Sequence, residues 1–433
     1  ISTPRGVENR HATIANSMTI GQIRVIGMTE YTVVHDAAQL VRNRDGGLDA
    51  VSDGAVAVED GHVAAAGPTD DVVREYPPEN AAAAVDADGK TVLPGFVDPH
   101  THAVFAGDRA DEFTAKLRGK TYQEIAAAGG GILRTVSAVR EASRETLVGN
   151  LLSHLDEMLA HGTTTAEVKS GYGLRVDSET KLLEAIREAD ERHPIDLVPT
   201  FMGAHSVPDG WETDDYVDHV IAEQLPPIAD AGLAEFCDVF CEAGVFSVEQ
   251  SRRVLAAGRE HGLTPKIHAE EFERIGGAEL AAELGAASAD HLLQATAEDA
   301  EALADADVVP VLLPGTAFAL DADYADPEQF AAAGAEVAIA TDFNPNCFSQ
   351  SMEFAVDLAC HGMRMEPGSA LRAATVGAAA AIDRTDSLGR LREGDPGDLV
   401  IADVPDYEHV PYNFGVSTVE TVLKAGEVVY DAG

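Results

Sequence analysis

The chain has 433 residues, 45% of them apolar, which is enough to bury a full core and excludes wholesale disorder. Its 30 Lys and Arg face 74 Asp and Glu, a formal charge of −44, and seven of the basic residues are lysines. Nothing resembles a basic patch for nucleic acid, no apolar run is long enough to cross a membrane, and acids scattered through stretches such as READERH and AEDAEALADAD imply a solvated coat suited to high salt.

Residues 1–17 are polar, carry no signal-peptide pattern and read as a disordered extension ahead of Met18. From 18 to 94 the pattern is β-branched runs broken by Gly and Asp: QIRVIGMTEYTVV, GAVAVEDGHVAAAG and GKTVLPG. Residues 391–433 read likewise, with GDLVIADV and VSTVETVLKAGEVVYDAG. The two ends are therefore expected to form one small β-sandwich domain around a long insert, 95–390.

The insert alternates strands with amphipathic helices. Eight strands are expected at Phe96–His102, Thr163–Ser170, Asp196–His205, Cys237–Gly244, Thr264–Glu270, Ser288–Leu293, Val308–Gly315 and Glu336–Asn344. Helical runs such as RETLVGNLLSHLDEMLAHG and SVEQSRRVLAAGREHG end in glycine. This alternation predicts an α/β fold, a (β/α)8 TIM-type barrel. A doubly wound sheet is the competing topology, but no Gly-rich phosphate loop follows the first strand.

Such a barrel carries its active site at the C-terminal ends of its strands. Asp98, His100 and His102 share one face at the end of the first. The fifth ends in His268, the sixth in His291 and the eighth in Asp342. Any one histidine is more simply a satisfied core or surface group. Five such residues at strand tops predict a metal centre, Zn2+ or Fe2+, with a position for water. Glu271, three residues after His268, is placed to bind substrate or shuttle a proton, or is an ordinary acidic loop residue. The fourth strand offers no lysine to bridge two metals, only Glu242 near its end, so one metal is expected. The four cysteines show no CxxC pair and suggest reduced cytoplasmic thiols, with Cys237 and Cys241 as small buried hydrophobes.

Together PGFVDPHTH, HAEEF, SADHL and TDFNPN resemble the amidohydrolase superfamily. HTHAVFAGDRADEF, AAAGGGILRTV, GTTTAEVKSGYGL, PTFMGAH and FCDVFCE narrow the resemblance to the imidazolonepropionase family, over nearly everything after Met18. The resemblance implies hydrolysis of 4-imidazolone-5-propanoate to N-formimidoyl-L-glutamate in histidine degradation. It also implies metal ligands His100, His102, His268 and Asp342, and catalytic roles for Glu271, His291 and Asp342. Arg109 would hold the propionate, joined by Tyr172 and His205. Tyr122 would line the same pocket, and Asn344 would contact substrate near the metal. Where the family has Gly and a small hydroxyl residue after DFNP, this chain has Asn346 and Cys347, so substrate contacts there are altered. An Asn tolerating left-handed backbone would preserve the turn. For Arg109 the competing role is a surface salt bridge to Asp108 or Asp111. The expected partner is a small anionic heterocycle; nucleic acid and membrane are not expected, and a homodimer is. The competing functions are an aminohydrolase acting on a nucleobase-like heterocycle, and a scaffold without chemistry.

Overall fold

A computed structural model of the chain describes residues 30–44, 47–120, 124–125 and 128–433. The expected extension at 1–17, and Tyr122, lie outside these residues. Strands β1 (Tyr31–Arg44), β2 (Gly47–Glu59), β3 (His62–Pro68), β4 (Ala83–Asp86) and β5 (Thr91–Pro94) come first, and β14 (Leu399–Ala402), β15 (Val419–Lys424) and β16 (Glu427–Asp431) come last. They form one sheet in the order β16-β15-β14-β5-β1-β2-β3, with β4 beside β1. Leu40, Val56 and Val92 from the first part and Leu399, Ile401 and Leu423 from the last share one buried cluster, which is why the two ends need each other. On the other face Val33, Ala55 and Ala57 pack with Val72 of the helix Thr69–Glu75. Two strands are longer than their sequence suggests, 14 and 13 residues. The aspartates that read as breaks, Asp36 and Asp53, are instead taken up within the hairpin at φ of 57° and 52°.

Between these ends lies the barrel. Its strands are β6 (Phe96–Asp98), β7 (Thr163–Lys169), β8 (Asp196–Ala204), β9 (Phe236–Cys241), β10 (Thr264–Ala269), β11 (Ser288–His291), β12 (Val309–Leu312) and β13 (Ala338–Ile339). Each pairs in parallel with its neighbour in chain order. Helices on the outside cover them with one continuous apolar cluster. The helix Arg144–Ala160 starts at an Ser143 cap, and Val248–Glu260 starts at a Ser247–Gln250 capping box. Gly162 and Gly262 follow them at φ of 85°, the left-handed stop expected from the sequence.

Closure happens beyond the regular strands. Thr101 bridges Phe343, His102 N donates to Phe343 O at 2.9 Å, and Asp342 N donates to His100 O at 3.2 Å. Asp98 is the clasp of this seam, accepting from Thr341 N at 3.2 Å and Thr341 Oγ1 at 2.6 Å. It therefore does not join the histidines as its spacing predicted, and burial pushes its carboxyl up to about 7. The strands also stop earlier than expected. His100, His102 and Asp342 sit past the last ladder bonds, where the backbone is free to turn side chains inward.

Candidate active site and metal centre

Four imidazoles and one carboxylate meet at the barrel mouth. His100 Nε2 and His102 Nε2 lie 3.5 and 3.8 Å from Asp342 Oδ1, and His102 Nε2 lies 3.3 Å from His268 Nε2. The candidate ligand atoms of His100, His102 and Asp342 all fall within 4.8 Å of one another, as do those of His100, His268 and His291. Left-handed backbone at Asp342 (φ 51°) and His291 (φ 79°) turns both side chains into the mouth.

This donor set suits a divalent cation. Burial holds His100 and His102 neutral, so their ring lone pairs are available, and His100 Nε2 is buried with no hydrogen-bond partner. The far side of two rings is fixed by carboxylates: His100 Nδ1 lies 2.6 Å from Asp290 Oδ2 and His268 Nδ1 lies 3.1 Å from Asp238 Oδ1. Thr316 Oγ1 donates to Asp342 Oδ2. Burial pushes the Asp342 carboxyl up, as expected of a carboxylate short of positive charge. Around the histidines two ammonium groups, Lys169 and Lys266, face the carboxylates of Glu167, Asp238, Asp290 and Asp342.

The two glutamates of HAEEF have separate tasks. The Glu270 carboxylate accepts backbone N–H groups from Ile275, Gly276, Gly277 and Ala278 and so ties down its own loop. Glu242 accepts from Phe272 N at 2.9 Å and Glu273 N at 3.2 Å, so it braces the same loop and stands apart from the histidines. Between them Glu271 is left facing His291, with Oε2 3.7 Å from Nε2. Burial, then the charges of Asp342 and Glu242, hold Glu271 well above the usual carboxylate range. His205 stacks on His102 at 4.8 Å between ring centroids, and burial lowers it to about 3. Tyr172 lies 5.3 Å from His205 and 5.8 Å from His102. Its loop, KSGYGL, wraps the Glu179 carboxylate with N–H groups from Gly171, Gly173 and Leu174. Gly171 is required there, because φ is +95° and a Cβ would come within 2.8 Å of His205 Nδ1.

Arg109 forms no ion pair with Asp108 or Asp111. Its Nε donates to buried Glu112 at 2.8 Å, Glu112 also accepts from Gly131 N at 3.0 Å, and Asp111 pairs with Arg134. Among the described residues, Arg109 Nη2 is buried without a hydrogen-bond partner. The turn after Asp342 differs from expectation. Asn344 spends its side chain on it, donating to Asp342 O at 2.7 Å and accepting from Asn346 N at 2.7 Å and Cys347 N at 3.0 Å. Neither Asn346 nor Cys347 has positive φ, so the turn needs no glycine. Cys347 points beneath it, with Sγ 3.7 Å from Thr341 O and its thiol pushed up by burial. Asn346 Oδ1 accepts from Lys116, a cation the sequence reading passed over. Cys237 and Cys241 are buried free thiols, as expected.

The sequence reading also missed Asp238, Asp290, Lys169, Lys266 and Glu167. The available signal was period two: Glu167 and Lys169, Lys266 and His268, and Ser288 and Asp290 put polar groups on the inward face of their strands.

Comparison with known proteins shows the family. The amidohydrolase family model matches residues 91–429, and a model of the imidazolonepropionase-like composite domain matches 54–78. The imidazolonepropionase of Haloarcula marismortui is 63% identical over 400 residues, 92% of this chain and 95% of its own. That of Halobacterium salinarum is 63% identical over 410 residues, covering 93% and 98%. That of Geobacillus kaustophilus is 50% identical over 401 residues, covering 92% and 95%. Among solved structures, a zinc-bound adenosine deaminase from Xanthomonas campestris superposes with a TM-score of 0.71 at 19% identity, covering 92% of each chain. Guanine deaminase from E. coli gives 0.69 at 15%, covering 93% of this chain and 99% of its own. These last two share the fold. The chain belongs to the amidohydrolases and, within them, to the imidazolonepropionase family.

Proposed function

We propose that the chain hydrolyses the ring amide of 4-imidazolone-5-propanoate, adding water across the bond between the carbonyl carbon and the ring nitrogen to give N-formimidoyl-L-glutamate. The observation that carries this reading is the pairing of the His–Asp cluster with a buried arginine whose Nη2 is unpartnered. His100, His102, His268 and Asp342 would hold one ion, Zn2+ or Fe2+. When bound, such an ion supplies Lewis acidity and a water ionised near neutral pH.

The remaining work belongs to side chains. Arg109 Nη2 grips the propionate, and Glu112 holds the guanidinium at the required angle. Tyr172 and His205 flank the same carboxylate. Glu271, whose carboxyl burial raises, orients a ring nitrogen, and His291 stabilises the oxygen that becomes negative. Asp342 Oδ1 takes a proton from the attacking water and delivers it to the leaving nitrogen. Asn344, with its side chain committed to the turn, shapes the wall beside Asp342, and Asn346 meets substrate through its backbone or through Lys116.

The test is loss of imidazolone propionate in molar KCl, run beside the release of ammonia from nucleobases. Turnover of nucleobases alone would replace this reading with an aminohydrolase. The acidic coat disfavours nucleic acid, no described helix is long and apolar enough to cross a membrane, and four free thiols fit the cytoplasm. The homodimer is to be read by sedimentation in high salt.

A further inference from the structure

Below the histidines the barrel holds a group of buried charges above apolar residues such as Val198 and Phe236. Lys169 is completely buried, on β7. Its Nζ lies 2.7 Å from Asp238 Oδ2, 2.7 Å from Glu167 Oε1 and 3.7 Å from Asp290 Oδ2. The same Asp238 and Asp290 brace His268 and His100 through their Nδ1 atoms, at 3.1 and 2.6 Å. One ammonium thus sits between the two carboxylates that aim two of the metal-binding rings. Lys266, equally buried on β10, is different. It donates to Pro99 O and Ala381 O, both at 3.1 Å, and its ion pair is with Glu167 at 3.6 Å.

From this geometry we infer that Lys169 is a positioning residue for the metal centre: it holds Asp238 and Asp290 at a fixed separation and so sets the angle between the His100 and His268 rings. The physical need is plain. Two buried carboxylates this close to one another repel, and without a cation between them each would swing toward any other donor. A carboxylate that swings carries its imidazole with it, because the ring follows its Nδ1 hydrogen bond. An ammonium suits the place, since its donors reach Asp238 and Glu167 at 2.7 Å while its charge also acts on Asp290 at 3.7 Å. This inference rests on the metal reading above.

The test uses Co2+ as probe on the full-length chain stripped of metal, in molar KCl. The first variant is E167Q/K169M, which removes one buried charge of each sign. Its control, E167Q/K266M, removes the same pair of charges from the same depth and leaves Lys169 between Asp238 and Asp290. The expected result is a fall of roughly 10- to 100-fold in Co2+ affinity for E167Q/K169M, with a shifted visible absorption band. E167Q/K266M, which removes a charge that also acts on Asp290 but leaves Asp238 its ammonium, should lose less than about tenfold and keep the parent's band. Equal affinities and spectra in both variants, or equal losses in both, overturn the inference. If the methionine variant does not fold, E167Q/K169Q takes its place. Failure of both to fold where E167Q/K266M folds makes Lys169 a folding residue and overturns the inference too. A parent chain that binds no Co2+ would sink the metal reading itself, a separate outcome.

Discussion

Charge is handled in opposite ways inside the barrel and on the outer surface. Inside, Lys169 and Lys266 meet Glu167, Asp238 and Asp290 at defined atoms, and all five are completely buried. Outside, acids stand in excess with few cations: all seven lysines are among the described residues, and only Lys120 is exposed. The inner charges act through short hydrogen bonds that solvent ions do not reach. The outer ones act as a collective field that falls off within a Debye length, about 3 Å in molar salt. The interior therefore decides what the protein binds, and the coat decides in which solution it stays folded.

The largest way to break this separation is to remove an interior ligand. His268→Ala should lose most bound metal, and Asp342→Asn should lower kcat by roughly three decades or more, since it removes both a ligand and a proton carrier. Melting curves in molar KCl should still report a cooperative fold. A mutant of Asp342 within tenfold of the parent would refute its role as proton carrier.

Next in size is Arg109, the buried cation proposed to grip the substrate's propionate. A charge-assisted hydrogen bond contributes roughly 1.5–3 kcal/mol, so Arg109→Met should cost about one to three decades in kcat/KM. Metal content, by elemental analysis, should not change. The neutral amide of the substrate should be poor with the parent and lose much less on mutation. Equal losses for acid and amide would reduce Arg109 to a partner of Glu112.

Salt comes third and acts on the coat alone. Melting temperature should climb from millimolar to molar KCl as self-repulsion is screened. Over the same range, once folded chain is corrected for, metal stoichiometry should stay constant. A metal content that tracks salt would join the two regions that the comparison separates.

The smallest effect concerns Asp357, which belongs to neither class: it is buried in the helix Met352–His361 yet has no ammonium or guanidinium against it. Burial, opposed by the N–H of Gly415, raises its carboxyl from 3.8 to about 6. A raised carboxylate holds its proton more tightly folded than unfolded. Its contribution is therefore full below about pH 4 and is lost as pH rises through about 6. Asp357→Asn should gain about 1–2 °C in Tm at pH 8 and nothing at pH 4 by calorimetry. A gain of equal size at both pH values would point to packing instead.

The parts legible in the sequence were those where one residue type has one physical use. Glycines after Ala160 and Glu260 ended helices, apolar runs marked eight strands, and His100, His102, His268 and Asp342 stood out as polar residues at apolar ends. Lys169 and Lys266 did not stand out, because a lysine in a strand reads as a solvent-facing residue. Only the closed barrel turns the inward period-two face of β7 and β10 into a buried chamber. Asp98 was misplaced for a related reason. Its spacing matched the histidines, but the missing ladder bonds at the barrel seam drew its carboxylate to Thr341. Asn344 was expected beside substrate by motif, and the turn it braces through Asp342 O, Asn346 N and Cys347 N was not legible, because side-chain-to-backbone bonds of this kind leave no periodic signal.

The seam has a consequence for how the protein comes into being. Asp98 and Thr341 are 243 residues apart, and the bonds between them and between His100 and Asp342 exist only when the last strand has come back to the first. Such distant contacts form late, after the entropy of closing the intervening chain has been overcome. A nascent chain that has emerged only as far as β12 holds the three histidines His100, His102 and His268 but not the fourth ligand, and its first strand is still an open edge. In refolding followed by Co2+ colour, the visible band should appear with the slowest phase rather than with early helix formation. On that order the complete His–Asp cluster exists only once the seam has closed, and a chain cut before β13 should show neither the Co2+ band nor turnover.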